Sequence, residues 1–183
     1  MLLKKEIFKK DAVELARFLL GREIQYNNCR GIIVETEAYK SDPASHAYKI
    51  TPRSRIMLDS YGKWYVYFVY GMFFCLNITT NEGEPGAVLI RAVQPIDGIE
   101  AMEKRRKTTE LLNLCSGPGK LCTAFGITKG LNGTDLNEKI FLRHCNKLGK
   151  FEIGKSSRIG ISSGKELEWR FFVKNSPFVS KVK

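Results

Sequence analysis

Metal-binding side chains are scarce in this sequence. It has two histidines, and its five cysteines (Cys29, Cys75, Cys115, Cys122 and Cys145) are odd in number, irregularly spaced and without a Cys-x-x-Cys pair. That pattern argues against both a disulfide framework and a structural zinc site, so no metal or other cofactor is expected. Cys75 and Cys122 sit inside apolar patterns and read as small buried hydrophobes of a reducing compartment. No stretch approaches the roughly 18 uninterrupted apolar residues of a membrane span, and MLLKKEIFKKD lacks the apolar core of a signal peptide. An intracellular protein without a membrane partner is expected. Acids are also in short supply, 19 Asp plus Glu against 30 Lys plus Arg, for a net charge of +11. A polyanionic partner, with nucleic acid first, is the class such a balance suggests. Charge does not select it unaided, and the aromatic pattern has to share the argument.

What is present suits one domain over residues 1–183: 183 residues, 43% of them apolar, are enough for one substantial core. The stretch from Ile32 to Arg91 gathers most of the chemistry. GIIVETEAY alternates with period two, placing Ile33, Glu35, Glu37 and Tyr39 on one face of a predicted strand. Periodicity cannot choose between the two glutamates. A polar connection, KSDPASHAYKITPRSR, follows; the whole link from Lys40 to Lys63 is of a length typical of functional or disordered loops, and His46, Arg53 and Arg55 favour function. YVYFVYGMFFCLNIT then reads as a hairpin whose apolar tip surrounds Gly71, and GAVLIRAV as a short strand with one charge, Arg91.

Around this block the sequence predicts support. Asp11 and Glu14 have capping-box spacing before an apolar helical stripe that stops at Gly21. REIQYNNCR predicts a strand and a turn at Asn27 and Asn28. IDGIEAMEKRRK predicts a helix with a solvated basic end from Lys104 to Lys107. LCSGPGKLCTAFGI predicts a second helix, with Ser116 as N-cap, Pro118 in the first turn and Gly126 as stop. KIFLRH, SRIGIS and EWRFFVK read as short strands. GPGK lacks the spacing of a phosphate-binding Walker loop.

In order along the chain, ETEAY at 35–39, His46, TPR at 51–53, YVYFVYGMFFCLNIT at 65–79, Arg91 and LCSGPGKLC at 114–122 together resemble the alkyladenine (3-methyladenine) DNA glycosylase family. The resemblance runs from the first helix to SPFVS. It implies an α+β fold: a single domain on a curved, mostly antiparallel sheet with packed helices and a protruding aromatic β-hairpin. The residues alone give only mixed strands and helices. It implies base-excision repair by a monofunctional N-glycosyl hydrolase acting as a monomer on double-stranded DNA. Alkylated or deaminated purines would be flipped out and excised without a lyase step.

Carried over residue by residue, the resemblance makes Glu37 the catalytic carboxylate and puts Arg91 near the catalytic water, where it would orient a carboxylate or hold a DNA phosphate. Tyr39, His46 and Tyr67 would sandwich the everted base, and Asn77 would discriminate against normal guanine. Tyr70, with Met72, would enter the duplex, while Arg53 and Lys120 are candidates for backbone phosphate. A lone carboxylate suits an oxocarbenium-like transition state, and a cationic lesion already carries leaving-group activation. That chemistry puts Glu37 at the mouth of a ring-lined slot. Ile56, Leu58, Trp64 and Phe178 depart from the family pattern and leave the shape of the pocket wall open.

Overall fold

The computed structural model describes residues 1–181. Its eight strands form one antiparallel sheet: β1 (Glu23–Tyr26), β2 (Cys29–Tyr39), β3 (Trp64–Val69), β4 (Phe73–Asn81), β5 (Pro85–Asp97), β6 (Ile140–Arg143), β7 (Ile153–Ser156) and β8 (Arg170–Val173). The spatial order is β3-β4-β5-β2-β1-β6, and β8 pairs with both β2 and β7. Four α-helices complete the fold, α1 (Ala12–Leu19), α2 (Arg55–Asp59), α3 (Ile99–Arg106) and α4 (Pro118–Phe125). The class is α+β. One hydrophobic cluster runs from Leu3 to Val173 and takes in side chains of α1, α3, α4 and the sheet.

Strand β2 is the axis. One edge pairs with β5; along the other, β1 covers the first half and β8 the second, through Glu35, Thr36 and Glu37. Paired on both edges, β2 is buried from Gly31 to Ala38, so the two-faced alternation of the sequence does not become an inside and an outside. Its charged residues must therefore find partners within the protein.

Local signals account for most boundaries. Asp11 caps α1, its Oδ1 accepting from the Val13 amide at 2.8 Å and the Glu14 amide at 3.3 Å. Asn27 takes a positive φ in the turn between β1 and β2. Three expectations are corrected. The N-cap of α4 is Gly117, with no side-chain cap, so Ser116 does not fill that role. SRIGIS is not a strand: β7 ends at Ser156, and residues 157–169 form an irregular segment leading into β8. The basic end of α3 is only partly solvated, because Arg105 donates to the Ala124 carbonyl at 2.8 Å and Arg106 to that of Leu114 at 3.1 Å. The two arginines satisfy carbonyls of α4 and of the segment before it, which their spacing on α3 did not reveal.

Candidate active site

Register breaks position the charged centre. Between β2 and β5, Ile33 faces Val93, Glu35 faces Ala92 and Thr36 faces Ile90, leaving Val34 and Arg91 without cross-strand partners. Bulges of this kind re-aim side chains. Arg91 reaches back across β2 to both glutamates, its Nε 3.2 Å from Glu35 Oε1 and its Nη1 3.3 Å from Glu37 Oε1. Burial alone would lower its pKa, but Glu37 and Glu35 outweigh that and hold the guanidinium above its ordinary value.

The two glutamates are both fully buried yet differ in their partners. Glu35 accepts four hydrogen bonds: Arg91 Nε at 3.2 Å, Arg170 Nε at 2.6 Å, and the Ser180 hydroxyl and amide, each at 2.7 Å. Three of these fall on Oε1 and one, from the Ser180 amide, on Oε2. Glu37 has three partners: it accepts from the Tyr39 hydroxyl at 2.7 Å and the Ile159 amide at 2.7 Å, and forms an ion pair with Arg91 Nη1 at 3.3 Å. It keeps acceptor capacity in reserve.

All three of those partners line a cavity of about 280 Å³. This is near the small end of ligand pockets, with room for a single compact group. The expectation that Glu37 stands at the mouth is thus corrected. It lies one layer back, behind a wall of Tyr39, Arg91 and Ile159, because β8 and the segment after Ser156 cover the edge of β2.

The remaining wall is aromatic and polar, with His46, Tyr65, Tyr67, Asn77, Met57 and Cys75 among its residues. His46 Nδ1 is 2.9 Å from the Tyr65 hydroxyl, and its ring meets that of Tyr67 edge-on with centroids 4.8 Å apart. The residue reaches solvent, but partial burial of its ring and then the charge of Arg53 lower its pKa. The imidazole is therefore neutral at pH 7. Burial also pushes the Tyr39 and Tyr67 hydroxyls well above the ordinary phenol value. Asn77 is committed by its amide nitrogen to the Tyr65 carbonyl at 3.1 Å, leaving its bulk and carbonyl oxygen for a neighbouring group.

Next to this cavity the β3–β4 hairpin turns through Tyr70 and Gly71, both at positive φ (53° and 65°), with the Met72 amide donating to the Val69 carbonyl at 3.2 Å. Tyr70 is 78% and Met72 64% exposed. A tyrosine in the left-handed region costs about 1–2 kcal/mol, and strain of that kind concentrates at functional sites. Arg53 lies at the same end, its guanidinium 5.1 Å from the Tyr67 ring centroid and bonded to the Phe68 carbonyl at 2.8 Å. Lys120 stands apart in a neighbouring cleft with Lys181, bonded to Asn113; burial, then Arg106 and Lys181, lower its pKa. Of the four departures from the family pattern, none lines the cavity: Trp64 is core, Phe178 packs against the core, Ile56 backs Met57, and Leu58 is 43% exposed.

Sequence reasoning missed the segment after β7. Arg158, Ile159, Gly160 and Ile161 supply part of the wall or its backing, and Arg170 and Ser180 neutralise Glu35. No periodicity or local motif marks them, since each acts through long-range contacts. Among the described residues no cluster of His, Cys, Asp and Glu has the makings of a metal site, and no helix is long and apolar enough to cross a membrane.

A buried carboxylate therefore backs a small, largely aromatic cavity beside an exposed hairpin tip. Comparison with known proteins gives the family. The model of methylpurine-DNA glycosylases matches residues 6–177. A protein of Agrobacterium fabrum is 47% identical over 95% of this chain and 90% of its own, and one of Chlorobium phaeobacteroides 43% identical over 98% and 96%. A Granulibacter bethesdensis protein is 44% identical over 93% of this chain and 83% of its own. All three bear the name "Putative 3-methyladenine DNA glycosylase". The chain belongs to the methylpurine-DNA glycosylase family, and so to the DNA glycosylases of base-excision repair.

Proposed function

We propose that this protein flips alkylated or deaminated purines out of duplex DNA and hydrolyses their N-glycosidic bond, leaving an abasic site. The observation that carries this reading is the contact set of Glu37, whose three partners are all wall residues of the aromatic cavity. Extruding a nucleotide costs a few kcal/mol of unstacking and unpairing. Tyr70 and Met72, exposed at the hairpin tip, offset part of that by filling the gap in the stack. Tyr39, His46 and Tyr67 offer π faces to many purines, with further attraction for a cationic one. Asn77 crowds the edge at which guanine carries its exocyclic amine.

For the chemical step, Glu37 takes the proton of a water that uses its remaining acceptor site, and its charge steadies the oxocarbenium-like sugar. The water oxygen bonds to the anomeric carbon as the bond to the base nitrogen breaks, and that electron pair leaves with the purine. Arg91 holds Glu37 in place. Because Glu37 is enclosed in the free protein, the wall at Tyr39 and Ile159 has to part for that water to reach it. The partner is double-stranded DNA bound by a monomer, with Arg53 and Lys120 contributing phosphate contacts that position the duplex without reading sequence. Incubation with duplexes carrying 3-methyladenine, 7-methylguanine, hypoxanthine or ethenoadenine tests the reading. Base release with an intact strand supports it, and no release from any of the four defeats it.

Complete burial of Glu37 is the observation that favours a rival, a lesion-binding module without catalysis. The same incubation separates the two.

A further inference from the structure

Arg158 is a buried cation to which the reaction above assigns no part. Its side chain is fully enclosed, with Nη2 2.6 Å from Asp42 Oδ1 and Nη1 3.1 Å from Oδ2. Nη1 also lies 3.2 Å from the Ala38 carbonyl, while Nε has no partner. The guanidinium carbon is 4.8 Å from the Tyr39 ring centroid and 5.1 Å from that of Trp169. Tyr39 lines the cavity and Arg158 does not, so the cation stacks on the ring from the protein side.

We propose that Arg158, acting through Tyr39, is a specificity-determining residue that weakens the preference of this site for positively charged purines relative to neutral ones. This rests on the reading in which Tyr39 stacks an everted purine. An aromatic face attracts cations through its quadrupole, and a guanidinium on one face draws on the density that a cation on the other would use. It also adds a positive field along the stacking direction, in a setting too dry to screen it. Neutral purines stack by dispersion and lose little. Asp42 tempers the field, but the cation is the member stacked on Tyr39, so the pair does not cancel at the ring. The same pair joins the segment holding His46 to the segment holding Ile159, giving the cavity two walls fixed to each other.

The test is the single-turnover rate of base release from 7-methylguanine duplex divided by that from hypoxanthine duplex. Combining Asp42→Asn with Arg158→Gln removes both charges, the glutamine being shorter than the arginine, and the ratio should rise about two- to fivefold. Asp42→Asn alone leaves the guanidinium uncompensated, and the ratio should fall. Arg158→Lys keeps the charge and should hold the ratio near the parent value. Disturbance of the Ile159 amide on Glu37 slows both substrates together and cancels in the ratio, so a purely structural role predicts no change. A folded double variant with an unchanged or lower ratio overturns the proposal, and so does an unchanged ratio in Asp42→Asn. If the double variant does not fold, as judged by thermal unfolding, the single Asp42 variant decides. Should the parent release neither base, the functional reading fails, and the ratio of binding affinities for the two duplexes then decides the stacking proposal by the same signs.

Discussion

Two carboxylates two residues apart on β2 have opposite surroundings. Around Glu35 two arginines and both donors of Ser180 supply four hydrogen bonds, three of them on Oε1. Around Glu37 there are two hydrogen bonds and one ion pair, and all three partners form the wall of a cavity. Exposure does not distinguish them, since both are fully buried. Their partners do, and the proposed function gives the chemistry to the acid whose partners all line the cavity.

The largest effect should come from the acid at the cavity. Glu37→Gln should lower single-turnover base release roughly a hundred- to ten-thousandfold while lesion binding and thermal stability change little. Equal rates in variant and parent would remove the distinction altogether. The mirror experiment is Glu35→Gln, which leaves Arg91 and Arg170 facing a neutral group and should cost about 3–5 kcal/mol in denaturant unfolding. If that variant proves as stable as the parent but inactive, the two roles are reversed. Tyr70→Ala sharpens the contrast from outside, because it touches neither acid. It should weaken excision from a paired lesion by about 1–3 kcal/mol, the range for lost stacking, with far less effect on a lesion in single-stranded DNA.

The smallest effect concerns pH. Because His46 has a lowered pKa, the unfolded chain takes up that proton at higher pH than the folded one. Stability from its neutral ring is therefore present above the ordinary value of about 6.5 and lost as pH falls below it. In the Glu37→Gln protein, binding of a 7-methylguanine duplex should accordingly be flat from about pH 8 to 6.5 and weaken below, where a protonated His46 repels the cationic base. Titration of affinity in that protein and in a version also carrying His46→Gln checks it, and the second should lack the acid-side loss.

Much of this arrangement was legible in the sequence because it depends on local rules. Asp11 before an apolar stripe, Gly126 after one, and Tyr70-Gly71 between strand-like runs each announce a boundary through their own backbone preferences. The ordered motifs from Glu35 to Arg91 named the residues that meet at the cavity. What stayed hidden is non-local. Two bulges decide which glutamate Arg91 grips more completely, and neither Val34 nor Arg91 carries a local mark of being unpaired. Arg158, Arg170 and Ser180 act more than a hundred residues from their acidic partners, where no pattern reaches. Burial of Glu37 follows from β8 covering β2, a pairing that spacing could not foresee.

The left-handed turn at Tyr70 sets terms for how the protein finds its target. Under the proposed function, a tip whose turn is already formed in the unbound protein, with Tyr70 exposed beside the cavity, meets the duplex without first refolding its loop.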